Sequence, residues 1–344
     1  MRLAFLPLIL MMVSSPAFSQ GQAVEAWQMD ADALRVTAAD IALPQVAGGL
    51  SLVKSGEISD GGEGLDNYAQ FASDDGVVQA TAYIYMPGFA DAAIAAYITD
   101  KAILERFGAS TRRTAYRVAA AAGHDGTAIR SSYEGADGTL TTAAALVHAG
   151  NWIVKLRVTA PTERAADVEK GIDAMLAGLR LGKDVAPHAA VAANVAACPA
   201  NDRQEAIVLK AAVADKAPAA TALGSFPRDG LDALCVRNTV QIGDSSYDVL
   251  QAADGRDSAA AIIIPLDDAG KIMRFDRLAS GAGYQMTVNQ VGRTDVYNAY
   301  DRIPTVKQIA GIIDGDAKGA MMLSSTAHGA DGRRTTVRND RQLP

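Results

Sequence analysis

Acidic side chains are concentrated on a glycine-rich segment, residues 59–67, which contains Asp60, Glu63 and Asp66. Carboxylate oxygens on a flexible loop are the ligands that Ca²⁺ prefers. The spacing matches no familiar calcium loop, and acidic glycine segments between strands are ordinarily solvated turns. A cation-binding module that uses this loop is therefore an alternative hypothesis, and the leading prediction includes no metal and no cofactor.

Ser245 is the candidate nucleophile, in the segment Ile242-Gly243-Asp244-Ser245-Ser246 that follows an apolar run. A nucleophilic serine needs a base that is itself oriented by an acid. The segment superficially resembles the nucleophile block of GDSL-type hydrolases, and this resemblance implies an Asp-x-x-His block near the end of the domain. His328 is preceded three residues back by Ser325 instead. We therefore expect a hairpin turn, with an envelope hydrolase using Ser245 as an alternative.

The four histidines are scattered, with no pair at i+2 or i+4: His124, His148, His188 and His328. Zinc sites usually show local ligand spacing, and nucleotide sites show a glycine-rich motif after a strand. Neither pattern occurs in this sequence. The histidines are therefore expected to be solvated or structural.

The chain contains two cysteines, Cys198 and Cys235. They lack the CxxC spacing that tunes thiols for exchange, and an isolated pair in an oxidising compartment usually forms a bridge. We predict a structural disulfide that closes the loop 199–234.

The first half is predicted to contain a hairpin, a helix and an antiparallel meander. The expected strands are 68–72, 77–86, 114–121, 127–134, 139–149 and 152–159. The expected helices are 89–107 and a closing helix that follows a cap at Thr162 and has its apolar positions between Val168 and Leu179. Turn residues such as Ser73-Asp74-Asp75-Gly76 separate the strands, and apolar residues recur at the helical period in both helices.

Two of these strands show alternation. Tyr83 and Tyr85 point to one side of their strand, and Lys155, Arg157 and Thr159 alternate with apolar residues in theirs. Because successive side chains of a strand point to opposite faces, one face of the strand 152–159 is predicted to be core and the other partly wet.

The order hairpin, helix, meander, WIVKLRVTAP strand and closing helix resembles the PsbP-like superfamily of small α/β/α sandwich domains, over residues 41–182. The resemblance is architectural and includes no diagnostic motif. It implies a scaffold or binding domain, since the family is mostly non-enzymatic, and it assigns no site residue.

The second half begins after an alanine- and valine-rich linker, residues 183–197. A capping-box spacing predicts a helix over 201–213. Further strands are expected at 232–242, 246–252, 259–265, 271–278, 284–291 and 319–326, with a helix at 305–313. The sequence thus predicts an α+β fold of two domains, 24–182 and 198–330, each an antiparallel sheet packed with helices.

The N-terminal residues 1–19 have the order of a secretory signal peptide: Arg2, an apolar run and small residues before the expected cleavage after Ser19. The run is shorter than the about 20 residues that a membrane span needs. The mature chain is therefore predicted to lack a transmembrane segment and to be exported to the periplasm or the extracellular space.

Charge excludes one class of partner. The chain has 32 Lys and Arg against 39 Asp and Glu, a formal net charge of -7. Nucleic-acid binding needs a basic stripe, so it is not predicted. The arginines of residues 331–344 are assigned to a flexible tail. The leading hypothesis is a non-enzymatic exported module that binds a partner protein or a cell-envelope component.

Overall fold

The computed structural model describes residues 25–58, 64–88, 90–192, 195–198, 204–209, 234–252, 260–278, 280–315, 320–330 and 333–338. Of these residues, 53% lie in strands and 16% in helices. The predicted α+β class is therefore wrong, and the fold is β-rich, with three sheets.

The first half contributes twelve described strands to two sheets. They are β1 (Trp27–Met29), β2 (Ala33–Val36), β3 (Ile41–Pro44), β4 (Val46–Ala47), β5 (Leu50–Glu57), β6 (Asp66–Ala72), β7 (Gln79–Tyr85), β8 (Arg112–Ala121), β9 (His124–Ala136), β10 (Leu140–Ala149), β11 (Trp152–Pro161) and β12 (Arg180–Leu181). The small sheet has the order β1-β2-β3-β12, and the large sheet has the order β4-β5-β6-β7-β11-β10-β9-β8.

Two helices cover opposite faces of the eight-stranded sheet. Helix α1 spans Ala92–Phe107 and helix α2 spans Ala165–Gly178, after a short 3-10 turn at Thr162–Arg164. The Asp91 carboxylate caps α1 by accepting from the Ile94 amide. Helix α2 and the small sheet enclose the main core of the first half. Helix α1 covers β9 and β10 on one face of the eight-stranded sheet and leaves the rest of that face open.

The second half forms a nine-stranded sheet in which β14 to β21 follow one another in chain order. Its strands are β13 (Ala196–Ala197), β14 (Leu234–Ile242), β15 (Ser245–Ala252), β16 (Ala260–Pro265), β17 (Ile272–Arg277), β18 (Tyr284–Gln290), β19 (Arg293–Tyr300), β20 (Met322–His328) and β21 (Arg334–Arg338). Helix α3, Val306–Ile313, has a full capping box at Thr305 and packs against one face through Ile309 and Ile312.

Helix α1 contacts both large sheets. Its residues Ala92, Ala93 and Ala96 pack against the eight-stranded sheet. On its other side, Ile94 and Ile98 form a cluster with residues of the nine-stranded sheet. The helix is therefore apolar on two sides because it lies between two sheets.

The structure differs from the sequence-based elements in identifiable places. Strands β1–β5 and β19 were not predicted, because short runs such as Ala33–Val36 show too little periodicity to distinguish them from loops. The predicted helix 201–213 is wrong over its described part, 204–209, where Val208 bridges to Tyr300. This segment therefore bridges to β19, a strand that the sequence does not predict.

Parts of the predicted linker and of the predicted tail pair with strands of the sheets. The predicted signal peptide lies outside the described residues. Within the predicted linker, Pro187 bridges to Ala149 and Ala196–Ala197 joins the nine-stranded sheet. Strand Arg334–Arg338, assigned to the tail by sequence, pairs with β20. Among the described residues, no helix is long and apolar enough to cross a membrane.

Candidate functional site

An open cleft of about 610 Å³ lies over the part of the eight-stranded sheet that α1 leaves uncovered. We call it the sheet cleft. Its floor is formed by β7 and β11, and its walls by the C-terminal end of α1 and by the hairpin turn 266–271 of the nine-stranded sheet. The volume falls within the roughly 300–1,000 Å³ of typical ligand pockets.

Pairing of β7 with β11 determines which side chains share this floor. The antiparallel register places Thr81 opposite Arg157 and Tyr83 opposite Lys155. Directly opposed residues of neighbouring strands point to the same face. The tyrosine side of one strand and the polar side of the other, which the sequence shows separately, therefore meet in one surface.

Two arginines border the aromatic ring of Phe107. The guanidinium carbon of Arg157 lies 5.0 Å from the ring centroid, and that of Arg106 lies 5.7 Å from it. Neither guanidinium makes a hydrogen bond or ion pair with any residue that the structure describes. Burial, followed by the nearby charge of Arg106, lowers the pKa of Arg157. The site therefore concentrates positive charge that no described residue neutralises by direct pairing.

Lys155 is the third cation of the floor, and it is paired. Its ammonium donates to the Asp268 carboxylate at 2.7 Å and to the Asp268 carbonyl at 3.0 Å. It also lies 5.8 Å from the centroid of the Tyr83 ring. This pair ties the hairpin wall to the cleft floor.

The hairpin wall approaches the floor closely at Gly270. A Cβ at this position would lie 2.9 Å from Pro87 Cβ and 3.0 Å from Tyr85 Cε2, and the backbone φ is +91°. Only glycine combines this conformation with this contact at low cost. The turn Asp267-Asp268-Ala269-Gly270 joins β16 to β17, and the glycine lets the wall pack on Tyr85.

Asp66, from the predicted acidic loop, lies at one end of the cleft. Burial first, and then the charges of Asp267 and Glu57, raise its pKa to about 6. Asp60 and Glu63 lie outside the described residues. Among the described residues, no group of three or more His, Cys, Asp or Glu side chains is placed to hold a metal ion.

The tyrosines of the cleft are hydrogen-bonding and stacking groups. Burial, followed by the charge of Asp268, raises the pKa of Tyr83 and that of Tyr85. Their hydroxyls therefore stay protonated near neutral pH.

Ser245 lies in a separate, smaller cleft of about 190 Å³ that no histidine lines. It is the first residue of β15, directly after the Gly243-Asp244 turn, so the expected hairpin is confirmed. The neighbouring Ser246 hydroxyl donates to the Glu105 carboxylate. His328 lies elsewhere, with Nε2 3.0 Å from the Thr294 hydroxyl. Among the described residues, no histidine lines the cleft of Ser245 and could act as its base.

Two of the scattered histidines come together. The rings of His148 and His188 stack with centroids 3.8 Å apart, and both Nε2 atoms lie within 3.1 Å of the Gly150 carbonyl oxygen. Sequence spacing could not predict this pair, because His188 returns to the sheet from the segment beyond α2. His124 is exposed in the β8–β9 turn.

The predicted bridge is present: Cys198 and Cys235 form a disulfide with a Cα–Cα distance of 4.8 Å. The bond fixes the end of β13 beside β14, where the Cys198 amide donates to the Val236 carbonyl. The bond therefore anchors an edge strand of the nine-stranded sheet to its neighbour.

Sequence reasoning did not identify the sheet cleft as a site. The alternation in β7 and β11 was visible, yet their pairing brings together residues more than 70 positions apart, and Arg106 and Phe107 join them from a helix end. Comparison of the sequence with protein-family models and with curated proteins finds no match.

Proposed function

We propose that this protein is an exported, non-enzymatic binding module that holds an anionic group of a cell-envelope component in the sheet cleft. The observation that carries the proposal is the pair Arg106 and Arg157, whose guanidinium carbons lie 5.7 Å and 5.0 Å from the Phe107 ring centroid, with no ion-pair partner among the described residues. Export follows from the predicted signal segment, and the disulfide Cys198–Cys235 supports an oxidising compartment.

The chemistry of the arginine pair favours an anion. A guanidinium presents several N–H donors in one plane and binds carboxylates and phosphates through two parallel hydrogen bonds. Arg157 is partly buried, and the neighbouring Arg106 charge makes its ionised form less favourable. A bound anion between the two groups would relieve this repulsion and supply the missing hydrogen-bond acceptors.

The other groups of the cleft suit holding a ligand. Tyr83 offers a partly exposed ring and a protonated hydroxyl, and Thr81 offers a neutral hydroxyl. Lys155 is held by Asp268. The resemblance of residues 41–182 to the PsbP-like superfamily, whose members are mostly non-enzymatic, agrees with this proposal and remains an interpretation of the sequence.

Isothermal titration calorimetry with inorganic phosphate, citrate and galacturonate tests the proposal. We expect at least one of these anions to bind, with affinity that falls as salt rises. Arg157→Gln and Arg106→Gln should each weaken binding by about 10- to 100-fold, since a hydrogen bond to a charged group contributes about 1.5–3 kcal/mol.

Arg117→Gln is the matched control, because Arg117 is an exposed arginine on edge strand β8 of the same sheet, outside the cleft. Its affinity should equal that of the wild type. Absence of binding to all three anions, or an equal loss in the control, would overturn the proposal.

A further inference from the structure

The floor of the sheet cleft is a ladder of side-chain pairs. Three cross-strand pairs follow one another along β7 and β11: Gln79 with Thr159, Thr81 with Arg157, and Tyr83 with Lys155. The first pair is neutral and polar, the second contains Arg157, which has no ion-pair partner among the described residues, and the third combines an aromatic ring with the lysine. The polarity and charge of the floor therefore change along its length, and the site extends beyond a single charged group.

The ladder is longer than a simple anion. Alternate residues of a strand lie about 6.8 Å apart, so the first and third pairs are separated by about 14 Å. Inorganic phosphate or a single carboxylate would occupy only the Arg157 level. A ligand that uses the whole floor must be extended and must carry polar groups on either side of its charge.

Several polar groups of this floor still have hydrogen-bonding capacity. The Thr81 hydroxyl and the Gln79 amide make no side-chain hydrogen bond to any described residue, and both are at least partly exposed. Tyr83 and Phe107 line the cleft, and both are partly exposed. Neutral donors and acceptors beside partly exposed rings suit a ligand with many hydroxyls and with C–H groups that can pack on them.

We infer that the ligand is an acidic saccharide, a chain of sugar units that carries a carboxylate or phosphate bound at Arg106 and Arg157. This inference rests on the proposed function, because it names the ligand class of the same cleft. Sugar hydroxyls pair with Thr81 and Gln79, ring faces stack on the aromatic side chains, and the acid group neutralises the arginines.

An acidic peptide fits the floor less well. Extended peptides bind sheets by adding a strand at a free edge, where backbone groups are unpaired. Here β7 lies between β6 and β11, and β11 lies between β7 and β10, so the ladder hydrogen bonds of both strands are already made. The floor offers side chains alone, which favours a ligand recognised through hydroxyls and ring faces.

Calorimetric titration of the purified full chain with a tetragalacturonate tests the inference, beside galacturonate monomer, a neutral cellotetraose, citrate and a tetraglutamate peptide. We expect the tetragalacturonate to bind at least tenfold tighter than its monomer, the neutral tetrasaccharide and the peptide. Thr81→Val should weaken tetragalacturonate binding about three- to tenfold, and by a larger factor than it weakens citrate binding. Thr335→Val, at an exposed threonine of β21, is the matched control and should change neither.

The outcomes separate this inference from the proposed function. If citrate binds and responds to Arg157→Gln, but the tetragalacturonate binds no tighter than citrate or the peptide, the saccharide assignment is overturned and the anion site stands. If Thr81→Val weakens the binding of citrate and of tetragalacturonate equally, ligand hydroxyls do not bind to Thr81 and the saccharide assignment also fails. If no anion binds, both proposals fail. Thermal melting of each variant confirms that it is folded.

Discussion

Lys155 on β11 and Asp268 in the β16–β17 turn form an ion pair of 2.7 Å across 113 residues of chain. The lysine side chain is 8% exposed and the aspartate side chain 52% exposed. The pair therefore joins a charge buried in the floor of the eight-stranded sheet to a wall supplied by the nine-stranded sheet. It links the two halves at the cleft that we propose as the binding site.

Removal of the Asp268 carboxylate should destabilise the protein. Asp268→Ala leaves the buried Lys155 ammonium with a backbone carbonyl as its one acceptor among the described residues, and we expect the free energy of unfolding to fall by about 1–2 kcal/mol. The double variant Lys155→Met with Asp268→Ala should recover most of this loss, because it also removes the unpaired charge.

Urea denaturation measures both effects, with the exposed Asp74→Ala as the matched control. If the double variant is less stable than Asp268→Ala alone, the cost lies in the packing of Lys155 and the explanation by an unpaired charge is wrong.

Asp66 should make stability fall as pH rises. Its pKa in the folded protein is about 6, above the about 3.9 of an unfolded aspartate, so the folded state binds the proton more tightly. The favourable contribution is complete below about pH 4 and is lost as pH rises to about 6. Asp66→Asn, which mimics the protonated group, should melt at a higher temperature than the wild type above pH 6.

Thermal melting between about pH 4 and pH 8 tests this expectation. The two proteins should converge near pH 4, while Asp74→Asn should follow the wild type throughout. A variant that is less stable than the wild type at pH 8 would contradict the assigned direction.

Asp248 should show the opposite dependence on pH. Its carboxylate accepts from the Tyr97 hydroxyl at 2.7 Å, the Lys101 ammonium at 2.8 Å and the Thr239 hydroxyl at 2.6 Å. Burial raises its pKa, but the hydrogen bonds from Lys101, Thr239 and Tyr97 outweigh burial and lower the pKa below its ordinary value. The stability that this group contributes is therefore present above about pH 3.9 and lost as pH falls through the folded pKa.

Asp248→Asn should lower the free energy of unfolding by about 1–3 kcal/mol at neutral pH, since it weakens hydrogen bonds to a charged group. Urea denaturation at pH 7 and at about pH 3 measures the change, and the loss should shrink at the lower pH. A loss of equal size at both values would assign the effect to side-chain shape and not to charge.

The sequence predicted local elements more reliably than the arrangement of the site. Helix α1, the hairpin β6–β7 and the polar side of β11 follow from short-range patterns, and each is present. The α+β class failed because short strands such as Ala33–Val36 carry little periodicity. The cleft could not be predicted, because it depends on the non-local pairing of β7 with β11 and on the approach of Gly270 to Tyr85.

Loss of the disulfide should destabilise the second half. The bond Cys198–Cys235 constrains a loop with a sequence separation of 37, for which the chain-entropy model gives about 3–4 kcal/mol. We expect Cys198→Ser with Cys235→Ser to lose about 2–4 kcal/mol in urea denaturation and to lose hydrogen-exchange protection in β14. Intact-mass analysis of the purified folded protein, alkylated without reduction, should find no free thiol. Two alkylated thiols in folded material would refute the bond.

We expect the two halves of the chain to fold independently of each other. The sequence places a boundary in residues 183–197, so fragments 24–182 and 198–330 are expected to unfold cooperatively when expressed separately. Separation of the halves should lower their stability, because Ile94 and Ile98 of α1 pack with Leu234 and Leu250 of the second half. Each fragment exposes its side of this cluster and should be less stable than the same half in the full chain.

Urea denaturation of each fragment, followed by hydrogen exchange, measures this difference. Ile98→Ser should destabilise the full chain more than the fragment 24–182, because in the fragment Ile98 is already exposed to water. An equal loss in both would show that Ile98 contributes through the first half alone. If neither fragment unfolds cooperatively, the predicted boundary is wrong or contact between the halves is required for folding.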